Sequence, residues 1–151
     1  MLTIWILSAL TGLLDPPEPV WEWPTRSSPS VVRDFDAPES PWGAGHRGLD
    51  LLADSSSHLI APVSGEIWFR GDVVSRGVLT IVTSEGWLVS MEPVSSVLER
   101  GTRVRAGERI GEIHSGHCAI RCLHIGLRVE GDYRSPAMEL GVWRHSILLP
   151  N

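Results

Sequence analysis

The sequence predicts a mostly β, antiparallel domain with little helix, on three observations. Its 15 Gly and 11 Pro break the 151 residues every few positions, which leaves no room for long helices. The apolar residues come in short bursts between those breaks, and several bursts alternate in polarity. A hydrophobic share of 42% and a length near that of one ordinary domain supply a single core.

The segments follow in order. Residues 1–14 (MLTIWILSALTGLL) form an apolar run, too short for the ~20 residues of a membrane helix, and no stable span is expected. The run suits the apolar part of a secretory signal, although no basic residue precedes it; an N-terminal strand or helix packed on the domain is the rival reading. Secretion or a place in the cell envelope is the resulting expectation. Residues 15–30 are rich in Pro and Ser and read as an extended connector whose Trp21 and Trp23 dock elsewhere. The domain is expected over 31–141, with a tail at 142–151.

Within the domain, strand-like bursts fall at Val31–Phe35, Gly48–Leu52, Ile60–Val63, Gly65–Arg70, Gly77–Thr83, Trp87–Met91, around Val104, at Glu108–Ile113 and at Leu123–Val129. Leu79, Ile81 and Thr83 share one face of their strand, and Val78, Thr80 and Val82 the other. Helical turns are expected only near Pro136–Leu140.

Charge and composition exclude several functions. The net charge is −5, and the 13 basic residues, all Arg, are scattered, so no footprint for nucleic acid or an anionic membrane exists. The pattern Val97-x3-Gly101-x2-Val104-x2-Gly107-x2-Ile110-Gly111 is like the hairpin of lipoyl and biotinyl carrier domains, but those need a lysine and this chain has none. A sugar-phosphotransferase carrier would have no use for an Asp beside its His.

Of the six His, two groups have metal-like surroundings. His46 and Asp50 stand four apart in GAGHRGLDL, where the glycines argue against a helix. In an extended strand their Cα atoms would lie roughly 13 Å apart, so a shared metal requires His46 to fold back over the strand that carries Asp50. A turn entering a strand, with an incidental His and a capping Asp, fits the spacing equally. Cys122 and His124, two apart in CLHIGL, project from one face of a strand while Leu123, Ile125 and Leu127 bury the other. Together the groups offer three nitrogen or oxygen ligands, the number a catalytic zinc site uses.

The ordered series GHRGLD, APVSGEI, VLERGTRVRAGERIGEI and CLHIGLR resembles the lysostaphin-type zinc metallopeptidases (metallopeptidase family twenty-three), many of which cleave peptidoglycan cross-links. The resemblance covers about Val31 to Leu140 and implies their duplicated hybrid motif architecture. It implies zinc on His46, Asp50 and His124, and a peptidase acting on peptidoglycan peptides or cell-wall protein. Two positions depart from the pattern. Cys122 stands where the first His of the His-x-His motif is expected, and Pro93 where the family's other auxiliary His falls. Loss of such acid–base groups costs on the order of 10²–10⁴ in rate. That loss favours an alternative: a zinc-bearing, weakly catalytic domain that binds wall peptide or regulates a partner hydrolase.

Glu92 and Cys122 are the candidate replacements for catalysis. Glu92 points away if Met91 and Pro93 face the site, unless the Pro makes a bulge. His114 and His117 lie near Cys118, and that loop can carry them to the rim, but the sequence does not set their direction. Cys118 and Cys122 either close a small disulfide loop, as suits a secreted chain, or leave Cys122 as a fourth zinc ligand. Trp42, just before the His46 loop, is the candidate rim residue for substrate, with core packing the alternative.

Overall fold

The computed structural model describes residues 21–25, 30–40, 42–53, 56 and 58–142. The signal-like segment 1–14 and nearly all of the tail fall outside these residues. Among the described residues there are eleven strands and no helix. They are β1 (Val31–Arg33), β2 (Leu49–Leu52), β3 (His58–Ile60), β4 (Gly65–Val73), β5 (Arg76–Val82), β6 (Leu88–Glu92), β7 (Val94–Ser95), β8 (Arg103–Val104), β9 (Arg109–Ile113), β10 (Cys122–Val129) and β11 (Asp132–Arg134). The Pro136–Leu140 segment makes the expected helical-type turn, Leu140 N–H donating to the Pro136 carbonyl four residues back, and does not extend into a helix.

An eight-stranded sheet runs in the order β1-β2-β10-β6-β5-β4-β8, with β11 added to β10, and a three-stranded sheet runs β3-β9-β7. All pairings are antiparallel. The period-2 alternation of strands explains why one face of the large sheet is dry and the other carries polar groups. Leu49 and Leu51 of β2, Ile67 of β4, Leu79 and Ile81 of β5, Val89 and Met91 of β6, and Leu123, Ile125 and Leu127 of β10 are buried on one face. There they join Leu59, Val94, Ile110 and Ile113 of the small sheet in one core. Their in-between neighbours Thr80, Leu88, Ser90, Glu92, His124, Gly126 and Arg128 line the opposite, open face.

The segment Trp21–Thr25, read from sequence as connector, lies against this body. Trp21 is buried in the core, its N–H donates to the Glu139 carbonyl, and the Glu22 N–H donates to the Pro62 carbonyl. Farther along, the Ile60 N–H donates to the Pro24 carbonyl. Aromatic residues close to a proline supply a large apolar area on a stiff, extended chain, and these three backbone contacts tie the segment to the body.

Candidate metal centre

The site forms where β2, β10 and β6 lie side by side. Asp50 is opposite His124 in the β2–β10 ladder, and His124 is opposite Glu92 in the β10–β6 ladder. Directly opposed residues share a face, so these three side chains emerge together. The register also corrects the parity expected for β6. Met91 is in the core and Pro93 is buried, while Glu92 faces the site, because the face is set by pairing with His124.

His46 reaches the same point from outside the strand. It forms an isolated antiparallel bridge with Asp36, each residue's N–H donating to the other's carbonyl, and this folds the chain back toward β2. The glycines of this loop act by close approach. A Cβ at Gly48 would press into the Ile125 carbonyl and sit 2.7 Å from His124 Nε2, and one at Gly45 would sit 2.7 Å from the Asp36 carbonyl. The fold-back brings His46 Nε2 to 3.0 Å from Asp50 Oδ1, a contact that Cα atoms roughly 13 Å apart in an extended His-x-x-x-Asp would not allow.

Asp50 Oδ1 is the hub. It lies 3.0 Å from His46 Nε2, 2.8 Å from His124 Nδ1 and 3.0 Å from His117 Nε2. His46 Nε2 and His124 Nδ1 are 3.1 Å apart. His46 and Asp50 are almost fully buried, whereas His117 and His124 keep 14% and 15% of their side chains exposed, so the centre opens on their side. The sequence leaves the direction of His117 open, and the structure turns it into the site. Its ring arrives on the loop before β10, with Nδ1 3.5 Å from Glu92 Oε1 and 3.4 Å from an Arg76 guanidinium nitrogen. Arg76 also pairs with Glu92 at 3.4 Å.

The donor chemistry fits a cation. His46 Nδ1 lies 2.6 Å from the Asp34 carbonyl, an acceptor, so that nitrogen carries the proton. Its Nε2 then presents a lone pair to a carboxylate oxygen and to a second imidazole nitrogen, an arrangement that is repulsive unless a proton or a metal lies between. Burial pushes the His46 imidazole below its usual range, against the pull of Asp50, so a second proton is disfavoured. A carbonyl that fixes the ring and its tautomer is the usual support of a metal-binding His. Separations near 3 Å match the edges of a tetrahedron with ~2.0–2.1 Å zinc bonds.

The remaining electrostatics agree. Burial tends to raise Asp50, but the His124 hydrogen bond and the fields of His117, His46 and His124 outweigh it, and its carboxyl stays below the usual range. Burial lowers His117, opposed by Asp50 and Glu92 and reinforced by His124 and Arg76.

Cys122 is bonded to Cys118, with Cα atoms 5.9 Å apart, so in this state neither sulfur is a thiolate that could ligate metal or act as a nucleophile. Of the two readings of the cysteines, the structure carries the disulfide. Beside the centre, a cleft of about 390 Å³ runs over the open face between Trp68, Thr80, Ser90, Glu92, His124 and Arg128. Tyr133 stands at its edge, with the Arg47 and Arg128 guanidinium groups each 5.6 Å from its ring centre. Trp42 is 95% exposed and lines the adjoining cleft, which shares Arg47, Arg128 and Tyr133 with the first.

The model of peptidase family M23 matches residues 44–136, a span that holds all four centre residues. The chain belongs to peptidase family M23. This M23 domain is 38% identical over 107 residues to the uncharacterized protein Rv2891 of Mycobacterium tuberculosis, a match covering 69% of this chain and 43% of that protein. It therefore spans less than half the length of the curated relatives it matches. The M23 fold here is similar to the catalytic domain of the antimicrobial peptidase lysostaphin from Staphylococcus simulans, at 18% identity and a TM-score of 0.62, covering 75% of this chain and 92% of that one. It is also similar to a chain in the complex of SpoIIIAH and SpoIIQ, at 17% identity and a TM-score of 0.60, covering 77% and 96%. These two likenesses bear on the fold. The lysostaphin-type, mostly β architecture is thus shown.

Proposed function

We propose that this M23 domain is a zinc metallopeptidase that acts on the peptide cross-links of peptidoglycan in the cell envelope. The observation that carries the reading is the meeting of His46, Asp50 and His124 within 2.8–3.1 Å of one another at the end of a solvent-open cleft. His46 is held by the Asp34 carbonyl, Asp50 by its place in β2, and His124 by its place in β10, so the three donors are fixed before any metal arrives. Bound zinc would supply a polarised scissile carbonyl and water acidified to near neutrality. Glu92 accepts from Arg76 at the cleft wall and is the one carboxylate among the described residues lining that cleft. The Arg47–Tyr133–Arg128 stack offers a flat surface and positive charge to a peptide bearing carboxylates. The disulfide suits an oxidising compartment, in keeping with export.

The test is a digest of purified cell wall by zinc-loaded protein beside a His124→Ala control. Release of new amino termini that depends on zinc and on His124 is expected; equal release by the two proteins overturns the peptidase reading. A second reading, a domain that binds wall peptide or a partner hydrolase without cutting, is favoured by the loss of both auxiliary histidines. Zinc-loaded protein that co-sediments with cell wall but frees no amino termini would select it.

A further inference from the structure

We propose that His117 is a fourth protein donor to the metal centre, carried there by the loop that the Cys118–Cys122 disulfide closes. This rests on the zinc reading above and adds a ligand to it. His117 Nε2 is as close to Asp50 Oδ1 as His46 Nε2 is, at 3.0 Å. The donor atoms of His46, Asp50, His117 and His124 all lie within 4.8 Å of one another. The His117 ring is 4.9 Å from that of His124 and 6.5 Å from that of His46, so the three imidazoles surround one point from different sides. Two groups face His117 Nδ1: Glu92 Oε1 at 3.5 Å, which accepts its proton, and an Arg76 guanidinium N–H at 3.4 Å, which would need its lone pair. The tautomer with Nδ1–H toward Glu92, itself paired with Arg76, leaves the Nε2 lone pair on the Asp50 side, and metal binding selects that tautomer. A carboxylate behind an imidazole is the support that metal-bound histidines commonly have.

The loop explains how a residue outside the strand ladder gets there. Cys122 opens β10 on the same face as His124, and its bond to Cys118 holds the preceding residues over the site. The far end is pinned twice: Ala53 N–H donates to the Arg121 carbonyl, and the Arg121 guanidinium donates to the Ile113 carbonyl. His117, adjacent to the tethered Cys118, is thus directed at Asp50 and not into solvent.

Three protein ligands leave a zinc position open to water or substrate, and four close it. With His117 in place the domain is in a closed, resting state, and peptide can reach the metal only when His117 withdraws. The replacement of the His expected at 122 by a disulfide cysteine and a neighbouring loop His then exchanges a helper for a cap.

Zinc affinity by chelator competition and the count of imidazoles by zinc-edge X-ray absorption test this in the wild type, in His117→Ala and in a Cys118→Ala/Cys122→Ala double variant. Three imidazoles are expected in the wild type and two in His117→Ala, whose affinity should fall at least the ~10–100-fold that even an outer-shell partner is worth. The double variant should bind zinc more weakly than wild type and show a reduced third-imidazole signal. A zinc-loaded wild type with two imidazoles, or a His117→Ala affinity within about threefold of it, overturns the inference and leaves the zinc reading standing. An unchanged double variant overturns the role given to the disulfide. A wild type that takes up no stoichiometric zinc overturns both this inference and the reading beneath it.

Discussion

Gly48 shows how a single missing side chain makes the centre possible. The chain crosses so near β10 that a Cβ there would overlap the Ile125 carbonyl and crowd the His124 ring. Gly48→Ala is expected to lower stability by about 1–3 kcal/mol, as overpacking does, and to weaken zinc binding by displacing His124. Denaturant midpoints with and without zinc check this: a variant equal to wild type in both would mean that the loop moves aside freely. At this scale much was legible. The spacings allow His46 and Asp50 to meet, given a fold-back at the glycines, and project His124 from one strand face, but it is the family resemblance that joins His46, Asp50 and His124 into one set. His117 was legible only as one of two loop histidines near Cys118, since a residue in an irregular loop has no period from which to read its direction. Glu92 was legible as a candidate, but its face was not, because parity along β6 has no sign until the strand is paired.

Among the elements, β10 does the most. Its even residues Cys122 and His124 hold the loop and the metal position, while Leu123, Ile125 and Leu127 anchor it in the core. Most strands lie where the apolar bursts predicted them. The two-residue β7 and the exposed β11 did not, being too short or too polar to alternate visibly, and β3 lies at His58–Ile60, sharing only Ile60 with the expected Ile60–Val63. The Pro-rich stretch reads as connector with docking Trp residues, and Trp21, 4% exposed, does dock, as part of the core itself. Trp21→Ala is expected to cost about 3–5 kcal/mol, in line with truncation of a buried Trp elsewhere. A thermal midpoint unchanged by the substitution would show that the segment merely rests on the surface.

For the whole molecule, the buried polar cluster ties stability to pH once metal is removed. His46 and His117 are held below their ordinary 6.5 in the folded chain. As the pH falls through that value the unfolded chain takes up protons that the folded chain refuses, so stability is full above it and declines below it. Asp50, held below its ordinary 3.8, adds a further loss under more acid conditions. The sign is the same for all three. Chelator-treated protein should therefore melt at nearly constant temperature from about pH 8 to pH 7 and progressively lower toward about pH 5. A midpoint that rises on acidification would contradict the neutral state assigned to these imidazoles.

The sequence by itself determined the mostly β class, the lysostaphin-type family, the residues of the His–Asp–His set and the exclusion of lysine-borne cofactors. The class follows from a period of two and the exclusion from a residue type that is absent, while the family and its His–Asp–His set follow from the ordered resemblance along the chain. Only the tertiary structure decided that Glu92 faces the site, that Cys122 is spent on a disulfide, that Trp21 belongs to the core, and that His117 meets Asp50. Those facts depend on which strand lies beside which and in what register. Pairing is set by the summed burial of distant residues, and no short stretch of chain carries that sum.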